Sequence, residues 1–469
     1  MCTAGTGYPW EKRGAGDGNR VWARPGRPRR VERVGGRTPM SATNEAPAPR
    51  ATAPIAAAPS APGSGGTTVN DLELPVFDYT EPGLAGEVYH QRLAEVRQQG
   101  WLARSPLTYV VLDRESGEFF LRARQTAFPG REIAEIFGVT GGRLWEQIDA
   151  NILNATGERH RRLRALIGPA FTPRAADRWR PAMRGFLDGL WWDLGDGGPP
   201  GGCEFVAAFA KPYPSLTIAA VLGAPPQDAP RLHEWSGWVQ KQFDIRALAS
   251  EPARIERAVG ELYGYVETLL ERRRRDPSDD LISTLLAAED EDGRLTHDDC
   301  VNLVANVVAG GIDTTQAQLS HAMRLFAAHP GQWAALAGDP GLVPAAVEEV
   351  LRFEPITPFT ARICTDAIEH RGVLFPAGTI VAICAERANR DAGAGDEFDI
   401  TRDSGGRLLT FGAGPHFCLG SNLARAELEE ALTFLAPRMT GLRPAGEARL
   451  GGLEGIYGID SLPLAWTPR

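Results

Sequence analysis

The segment 411–420 reads Phe-Gly-Ala-Gly-Pro-His-Phe-Cys-Leu-Gly and combines residue types that can bind a metal or a flat ligand. Its three glycines let the backbone approach a flat or bulky partner closely. Cys418 ends this loop, and residues 419–435 have helical periodicity, so we expect its thiol at a helix N-terminus, where free N–H groups favour a thiolate. No second cysteine stands at metal-ligand spacing, and the C-x-x-C-H haem-attachment pattern is absent from the sequence. The pattern favours a functional thiolate over a structural core cysteine.

A second group of reactive residues, Gly-Gly-Ile-Asp-Thr-Thr, occupies positions 310–315 inside a long predicted helix at 297–328. Thr296 and Asp299 have capping-box spacing and mark the start of that helix. Each glycine costs about 1 kcal/mol relative to alanine in a helix interior, so we expect the helix to widen or kink here. One interpretation is a close helix–helix contact at the glycines, with Asp313 and Thr314 making ordinary polar bonds. The interpretation we favour is a pocket against the helix with a proton donor beside it.

The elements that would position these residues are mostly helical. Residues 101–123 alternate apolar and polar around Gly117, which predicts a β-hairpin, and strand-like runs return at 358–385 and near 455–466. We therefore expect one large domain that is mainly α with a minor β part (α+β) and small antiparallel sheets. The pattern predicts helices at 81–100, 157–170, 174–194, 202–223, 228–247, 251–275, 279–288, 297–328, 341–353 and 419–436.

Composition divides the 469 residues into two parts. The chain is 43% apolar, which excludes a wholly disordered or fibrous protein. Residues 1–70 hold 11 Gly and 9 Pro, close to the roughly 25–30% that marks low-complexity chain. We predict a disordered tail over 1–71, with a possible natural start at Met40, and a folded domain over 72–469.

Charge is uneven along the chain, although the net charge is −9. Residues 1–39 carry nine Lys/Arg against three acidic residues. This basic head could contact nucleic acid or a membrane, but it lacks interleaved aromatic residues and helical periodicity, so a solvated tail is favoured. No export signal or membrane-spanning run is recognised, and we expect a cytoplasmic monomer without a nucleic-acid or membrane partner.

The motifs together resemble the cytochrome P450 family. Segment 411–420 is similar to its haem-thiolate loop, Phe-Gly-x-Gly-x-His-x-Cys-x-Gly, at every defined position. Segment 310–315 resembles the oxygen-activating stretch of its long central helix, and Glu349-x-x-Arg352 resembles its helix pair. Residues 458–463 are similar to its closing strand. The resemblance runs from about Leu72 to the C-terminus and implies the cytochrome P450 fold.

The resemblance implies that Cys418 is the axial thiolate ligand of haem b, iron protoporphyrin IX. It also implies that Asp313 and Thr314 supply protons for the activation of dioxygen, which argues against a peroxide-driven enzyme. It further implies that His160, Arg164, Arg362 and His416 bind the haem propionates. The remaining cofactor-binding positions of the loop are Phe411, Gly412 and Gly420.

Two further sets follow from the resemblance. Glu349 and Arg352, with Arg402 as the third member, would brace the chain near the cysteine loop and have no catalytic role. The sequence departs from the family pattern between Asp391 and Glu397, which is short and Gly-rich. The predicted substrate-lining residues are mostly apolar and favour a hydrophobic molecule; they are Trp145, Ile148, Ile152, Phe243, Val304, Val308, Gly310, Ile356, Thr357 and Phe359.

Electrons must come from a separate protein, because the chain has no dinucleotide-binding fingerprint after a strand and no iron–sulfur pattern. A ferredoxin with an NAD(P)H-dependent reductase is implied, and it could dock on Arg159, Arg161 and Arg162. A solvated basic helix face is the alternative for these arginines. The predicted function is an oxidoreductase, a monooxygenase that inserts one oxygen atom by hydroxylation or epoxidation. The alternatives are an atypical outcome (C–C or C–O coupling, desaturation or dealkylation) and a non-catalytic haem-binding sensor.

Overall fold

The computed structural model describes residues 67–194, 201–290, 295–391, 395–402 and 406–467. These residues belong to one compact unit. In chain order, the α-helices of the described part are α1 (Gly86–Gln99), α2 (Arg114–Arg122), α3 (Gly130–Ile136), α4 (Gly142–Ala150), α5 (Gly157–Ile167), α6 (Pro173–Asp177), α7 (Arg180–Asp193), α8 (Pro212–Leu222), α9 (Ala229–Gln240), α10 (Ile245–Ser250), α11 (Pro252–Arg275), α12 (Leu281–Asp290), α13 (His297–Gly311), α14 (Asp313–Ala328), α15 (Pro330–Gly338), α16 (Val343–Phe353), α17 (Ala385–Arg390) and α18 (Ser421–Leu435).

The strands of the described part are short and are grouped in small sheets. They are β1 (Thr67–Thr68), β2 (Leu102–Arg104), β3 (Tyr109–Val111), β4 (Thr126–Ala127), β5 (Gly202–Glu204), β6 (Phe359–Cys364), β7 (Ile368–His370), β8 (Val373–Phe375), β9 (Ile380–Cys384), β10 (Arg443–Pro444), β11 (Arg449–Leu450), β12 (Ile459–Ser461) and β13 (Pro463–Ala465). The largest sheet has the order β2-β3-β9-β6-β4. The predicted fold class, mainly α with a minor β part, is confirmed. The prediction of antiparallel sheets holds for β10-β13-β5 and β11-β12. The other two described sheets are mixed, because β1 pairs with β8 and β3 with β9 in parallel.

The predicted long helix at 297–328 is present as two segments, α13 and α14, separated at Ile312. Its start is a full capping box between Thr296 and Asp299. Ile312 is fully buried and has φ −93° and ψ −67°, which interrupts the regular helix. The break therefore falls inside the Gly-Gly-Ile-Asp-Thr-Thr stretch, as the poor helix propensity of that stretch predicts.

Most of both helical segments is buried in the main hydrophobic core. Val304 and Val308 of α13 and Leu319 of α14 are fully buried there. Burying one such side chain contributes about 1.5–3 kcal/mol, so packing outweighs the propensity penalty of the glycines. The reactive stretch 310–315 is thus held by well-packed helix on both sides.

The predicted β-hairpin over 101–123 is wrong in its second half. Strands β2 and β3 form a hairpin, but the chain then enters α2, which begins after Asp113, whose side chain accepts a hydrogen bond from the backbone N–H of Ser116. Gly117 lies inside α2 and makes no turn. A Cβ there would lie 2.9 Å from Ile383 Cγ2, so the glycine serves close helix–sheet packing.

Several other predicted helix bounds also change. The predicted helix at 202–223 begins instead with strand β5, whose partner β13 lies far along the chain. A π-helical segment, Val206–Ala210, follows before α8. The sequence prediction also missed four short helices, because their few residues give too little periodicity; these are α3, α4, α15 and α17.

Described structure starts at Thr67, and Val69 is fully buried. The predicted division into a tail and a haem domain stays a prediction, and most of that tail lies outside the described residues. Within the described part of the chain, none of the helices combines the length and apolar character needed to cross a bilayer. A cytoplasmic location stays a prediction as well.

Candidate active site

Cys418 lies three residues before α18, at the end of a loop closed by a hydrogen bond from its own N–H to the carbonyl oxygen of Phe411, at 2.9 Å. Gly412 and Gly414 have φ of +69° and +70°, a region that other residues rarely adopt. At Gly414 a Cβ would also lie 2.8 Å from the carbonyl oxygen of Leu121 in α2. Glycine is therefore required at both positions to fold this loop against α2.

The Cys418 thiol is exposed, although it is surrounded by protein at longer range. Burial raises the pKa of the Cys418 thiol, while the backbone N–H groups of Gly420 and Ser421 and the guanidinium groups of Arg164 and Arg425 lower it. The expected helix N-terminal amides are thus present, but burial outweighs them. A sulfur on an exposed residue is able to reach a bound ligand.

Four basic side chains meet on one side of this loop. The rings of His160 and His416 lie 4.2 Å apart, and Arg164 of α5 donates a hydrogen bond to the Phe417 carbonyl oxygen. Burial and then the charges of His160, Arg362 and Arg164 lower the pKa of His416 to about 3. The structure therefore brings together all four predicted propionate-binding residues.

These bases lack an acidic counterpart among the described residues. Arg362 is only 5% exposed, yet its one hydrogen bond there goes to the Ala361 carbonyl oxygen, at 2.9 Å. Burial lowers the pKa of Arg362 to about 10. His160 Nε2 is buried and has no hydrogen-bond partner in the described structure. Buried cations are unfavourable unless an anion is close, so this cluster calls for a ligand with negative charges.

This donor set fits haem b. Its two propionates are carboxylates, which suit a cluster of one buried arginine, a second arginine and two histidines. A thiol that lines the same region, Cys418, suits iron. Gly310 is exposed near the C-terminal end of the otherwise largely buried helix α13, and a Cβ there would meet nothing within 4 Å. The chain thus offers a ligand atom, counter-charges and room beside the helix.

The two glycines before the helix break have different surroundings. Gly310 faces open space, as described above. A Cβ at Gly311 would lie 2.5 Å from Ile218 Cδ1 of α8, so Gly311 allows a close helix–helix contact. Gly310 therefore fits the predicted pocket, and Gly311 fits the predicted close helix–helix contact.

Asp313 and Thr314 occupy the first turn of α14, directly after the break. Ser236 of α9 donates a hydrogen bond from Oγ to Asp313 Oδ2 at 2.7 Å, and His233 Nε2 lies 4.0 Å from Asp313 Oδ1. Burial raises the pKa of Asp313, although His233 and Ser236 act in the opposite direction. Thr314 Oγ1 donates a hydrogen bond to the Gly310 carbonyl oxygen at 2.6 Å. A carboxyl with a raised pKa beside an alcohol is suited to hold and release a proton.

Glu349, Arg352 and Arg402 also lie together. Glu349 and Arg352 are both 1% exposed and share two hydrogen bonds, of 2.6 and 2.8 Å. Arg352 also donates to the carbonyl oxygens of Gly395 and Glu397. Arg402 Nε is 3.8 Å from Glu349 Oε1, a looser contact. This group fastens α16 to the chain that leads to the cysteine loop.

The predicted lining residues are distributed unevenly. Several of them belong to, or pack against, the main core around α13; these are Trp145, Ile148, Ile152, Val304 and Val308. Phe359 stacks on Tyr79 at 4.5 Å and packs against a cluster separate from the core around α13. Phe243 contacts Phe128 edge-on at 5.9 Å. Ile356 is 7% exposed and Thr357 is partly buried.

Sequence reasoning missed the polar residues of α9 that contact the helix break, namely His233, Ser236 and Gln240. Gln240 Nε2 donates a hydrogen bond to the Ala309 carbonyl oxygen at 2.5 Å. Their spacing of three and four residues places them on one face of α9. That polar stripe, on a face directed at apolar helix α13, is the signal that could have identified them.

Comparisons with known proteins agree with this geometry. The profile of the family described as Cytochrome P450 matches residues 341–436. Luteothin monooxygenase from Streptomyces thioluteus is 35% identical over 399 residues, which cover 84% of this chain and 96% of that enzyme. Erythromycin C-12 hydroxylase from Saccharopolyspora erythraea is 38% identical over 312 residues, covering 65% and 77%. Among solved structures, CalO2 superposes with a TM-score of 0.76 at 29% identity and covers 84% of this chain and 100% of that one.

Proposed function

This chain belongs to the cytochrome P450 family and is a cytochrome P450 monooxygenase with haem as its cofactor, and we propose that Cys418 ligates the haem iron. The observation that carries this assignment is the exposed thiol at the end of the glycine loop, next to four bases without an acidic counterpart among the described residues. Phe411 belongs to the same closed loop, and the guanidinium carbon of Arg425 lies 4.6 Å from the centre of its ring. Phe411 is thereby fixed where it can shield the sulfur.

The propionates would be held by His160, Arg164, Arg362 and His416. Arg362 is fixed on β6, an inner strand of the largest sheet, where it pairs with Val381 of β9. His160 and Arg164 are four residues apart on α5 and therefore share a face. The four groups come from three separate parts of the chain, so one ligand that binds them all also fastens those parts together.

Bound haem supplies the activation of dioxygen. The chain's part in the reaction is proton supply and the exclusion of bulk water. Asp313, with its raised pKa, holds a proton at the helix break, and Thr314 presents a hydroxyl on the same turn. The net reaction inserts one oxygen atom of dioxygen into the substrate as a hydroxyl or epoxide. The second atom leaves as water, which uses two electrons and two protons.

The electrons would come from a ferredoxin and its NAD(P)H-dependent reductase. Arg159 and Arg161 are exposed on α5, the helix that also carries His160 and Arg164. Arg161 pairs with Glu158, which is itself exposed, whereas Arg162 pairs at 2.9 Å with Asp299, the residue that caps α13. An acidic partner would therefore dock chiefly on Arg159 and Arg161.

The substrate class that fits best is a hydrophobic small molecule. Support comes from the apolar residues Trp145, Ile148 and Ile152, which pack against the core near α13. Relatives with this architecture are named as a monooxygenase and a hydroxylase. A monomer and the hydrophobic substrate stay predictions.

One experiment tests the reaction directly. Purified protein with a ferredoxin, reductase and NADPH is incubated under isotopically labelled dioxygen with the compound that gives the largest haem spin-state shift in a screen of hydrophobic molecules. We expect one labelled oxygen atom in the product. Asp313→Asn should lower product formation by about two orders of magnitude, the scale of lost general acid catalysis. Product that carries oxygen from water, or none, would count against a monooxygenase reaction.

A further inference from the structure

The proton at Asp313 must be replaced from solvent, and α9 offers a route that the reaction described above does not assign. Helix α9 packs against α13 and α14, and it presents three polar side chains to the helix break. Ser236 is fully buried, whereas the His233 side chain is 25% exposed. These side chains therefore connect the more exposed imidazole of His233 to the carboxyl of Asp313, whose side chain is 15% exposed.

Ser236 can satisfy Asp313 in either protonation state. Its hydroxyl lies 2.7 Å from Asp313 Oδ2 and 3.2 and 3.3 Å from the carbonyl oxygens of Val308 and Ala309. When Asp313 is ionised it can only accept, so Ser236 donates to it. When Asp313 is protonated it can donate to Ser236, and the serine hydrogen turns to a carbonyl oxygen. A carboxyl with alternative partners at fixed heavy-atom positions can gain and lose a proton without rearrangement of the backbone.

His233 is the titratable group that approaches Asp313 most closely. Its Nε2 is 2.7 Å from Gln316 Oε1 and 4.0 Å from Asp313 Oδ1. The second distance exceeds a hydrogen bond by about 1 Å, a gap that a small rotation of either side chain closes. Two other cations, Lys211 and Lys241, act on Asp313 at longer range.

We propose that His233 passes protons from solvent to Asp313, and that Ser236 is a positioning residue that keeps Asp313 bonded in both of its protonation states. The proton moves from His233 Nε2 to Asp313 Oδ1, and solvent returns one to the exposed imidazole. The inference rests on the proposed role of Asp313 in the monooxygenase reaction.

The first test follows the carboxyl of Asp313 by infrared difference spectroscopy of the resting haem-loaded enzyme, without turnover. The carboxyl band is identified by its loss in Asp313→Asn. We expect it to titrate at higher pH in His233→Ala than in the wild type, since the variant loses a neighbouring cation that favours the carboxylate. Ser236→Ala should move the frequency of the band because its hydrogen bond is lost. An unchanged midpoint in His233→Ala would overturn the proposal.

The second test uses the compound chosen by the spin-state screen. It compares product formation driven by dioxygen with product formation driven by hydrogen peroxide. We expect at least about tenfold less product from His233→Ala with dioxygen and NADPH, and a larger solvent isotope effect. Product formation driven by hydrogen peroxide, which brings its own protons, should stay close to wild type. Added imidazole should restore part of the dioxygen-driven rate.

Two controls keep the outcomes separate. Glu234→Gln alters an exposed neighbour on α9 and should leave both routes unchanged, while His233→Gln preserves side-chain volume in case the alanine variant folds poorly. If the wild type itself forms no product, the monooxygenase proposal fails. If the wild type forms product and both His233 variants match it, only the role of His233 is disproved.

Discussion

The imidazole rings of His160 and His416 lie 4.2 Å apart, although one belongs to α5 and the other to the loop before α18. Neither ring has an acidic neighbour among its described contacts, and the positive charges of Arg362 and Arg164 act on His416. Such a cluster is unfavourable by itself and favourable once it binds carboxylates. Loss of these charges should therefore stabilise the haem-free protein and weaken its binding of haem.

Replacing Arg362 tests this opposition. In Arg362→Met the free energy of unfolding of the haem-free protein should rise by about 1 kcal/mol, because the variant removes a buried cation that has no acidic partner among the described residues. Haem affinity should fall by about tenfold or more, because a charge-assisted hydrogen bond contributes about 1.5–3 kcal/mol. Denaturant unfolding of the haem-free protein and haem transfer to apomyoglobin measure the two effects. Arg443→Met, at an exposed arginine, is the control; parallel loss of both quantities would contradict the account.

Substitutions at Glu349 and Arg402 test how much the group formed by Glu349, Arg352 and Arg402 contributes to stability. Glu349→Gln leaves Arg352 as a buried charge without its carboxylate and should lower the free energy of unfolding by about 3–5 kcal/mol. Arg402→Ala should lower it by no more than about 1 kcal/mol, because its contact of 3.8 Å is looser and its side chain is 23% exposed. Urea unfolding measures both variants. Equal losses would show that Arg402 is as tightly bound as Arg352.

Charge reversal on α5 tests the docking surface. In the double variant Arg159→Glu and Arg161→Glu, reduction of the haem by a ferredoxin should slow by about tenfold at low salt and lose most of its dependence on ionic strength. Stopped-flow absorbance measures the rate. Arg275→Glu, at the exposed end of α11, changes charge elsewhere and should leave the rate unaltered. Reduction of the double variant at the wild-type rate would place the partner elsewhere.

The environment of His90 in α1 allows us to predict how the stability of the protein depends on pH. Its ring lies 3.2 Å from Glu354 and 3.4 Å from Glu386, both buried. Burial opposes the charge, but the two carboxylates outweigh it and raise the pKa of His90 to about 9. The resulting stability, about 3 kcal/mol, is fully present below pH 6.5 and is lost as the pH rises through 9.

The measurement compares unfolding of the wild type and His90→Gln between pH 6 and about 10. The difference between the two proteins should shrink as the pH rises. His329→Gln, at a histidine whose described hydrogen bond is to the Leu325 carbonyl oxygen, serves as the control. A difference that is constant over this range would show that His90 is not charged in the folded protein.

Local spacing explains what the sequence predicted well. Glu349 and Arg352 are three apart on a helix, and the break between α13 and α14 follows from residues that are all within one short stretch. The contacts of Asp313 could not be predicted in this way, because Ser236 lies 77 positions earlier and meets it only through helix packing. The predicted turn at Gly117 is wrong because the sequence does not show that Ile383 packs against this glycine.

The partners of buried charged groups are equally hard to predict from the sequence. The sequence marks Arg362 as a basic residue on a strand, but only the fold shows that it is buried and has no carboxylate partner among the described residues. His90, Glu354 and Glu386 likewise meet from three elements. Buried ion groups depend on tertiary contacts and have no local pattern.

The central claim is that Cys418 ligates the haem iron. The most direct measurement is the absorption spectrum of the reduced, carbon monoxide-bound protein, compared between the wild type and Cys418→Ala. The wild type should show the strongly red-shifted Soret band of thiolate ligation, and the variant should lose it while Cys203→Ala keeps it. A red-shifted band that persists in Cys418→Ala would contradict the assignment.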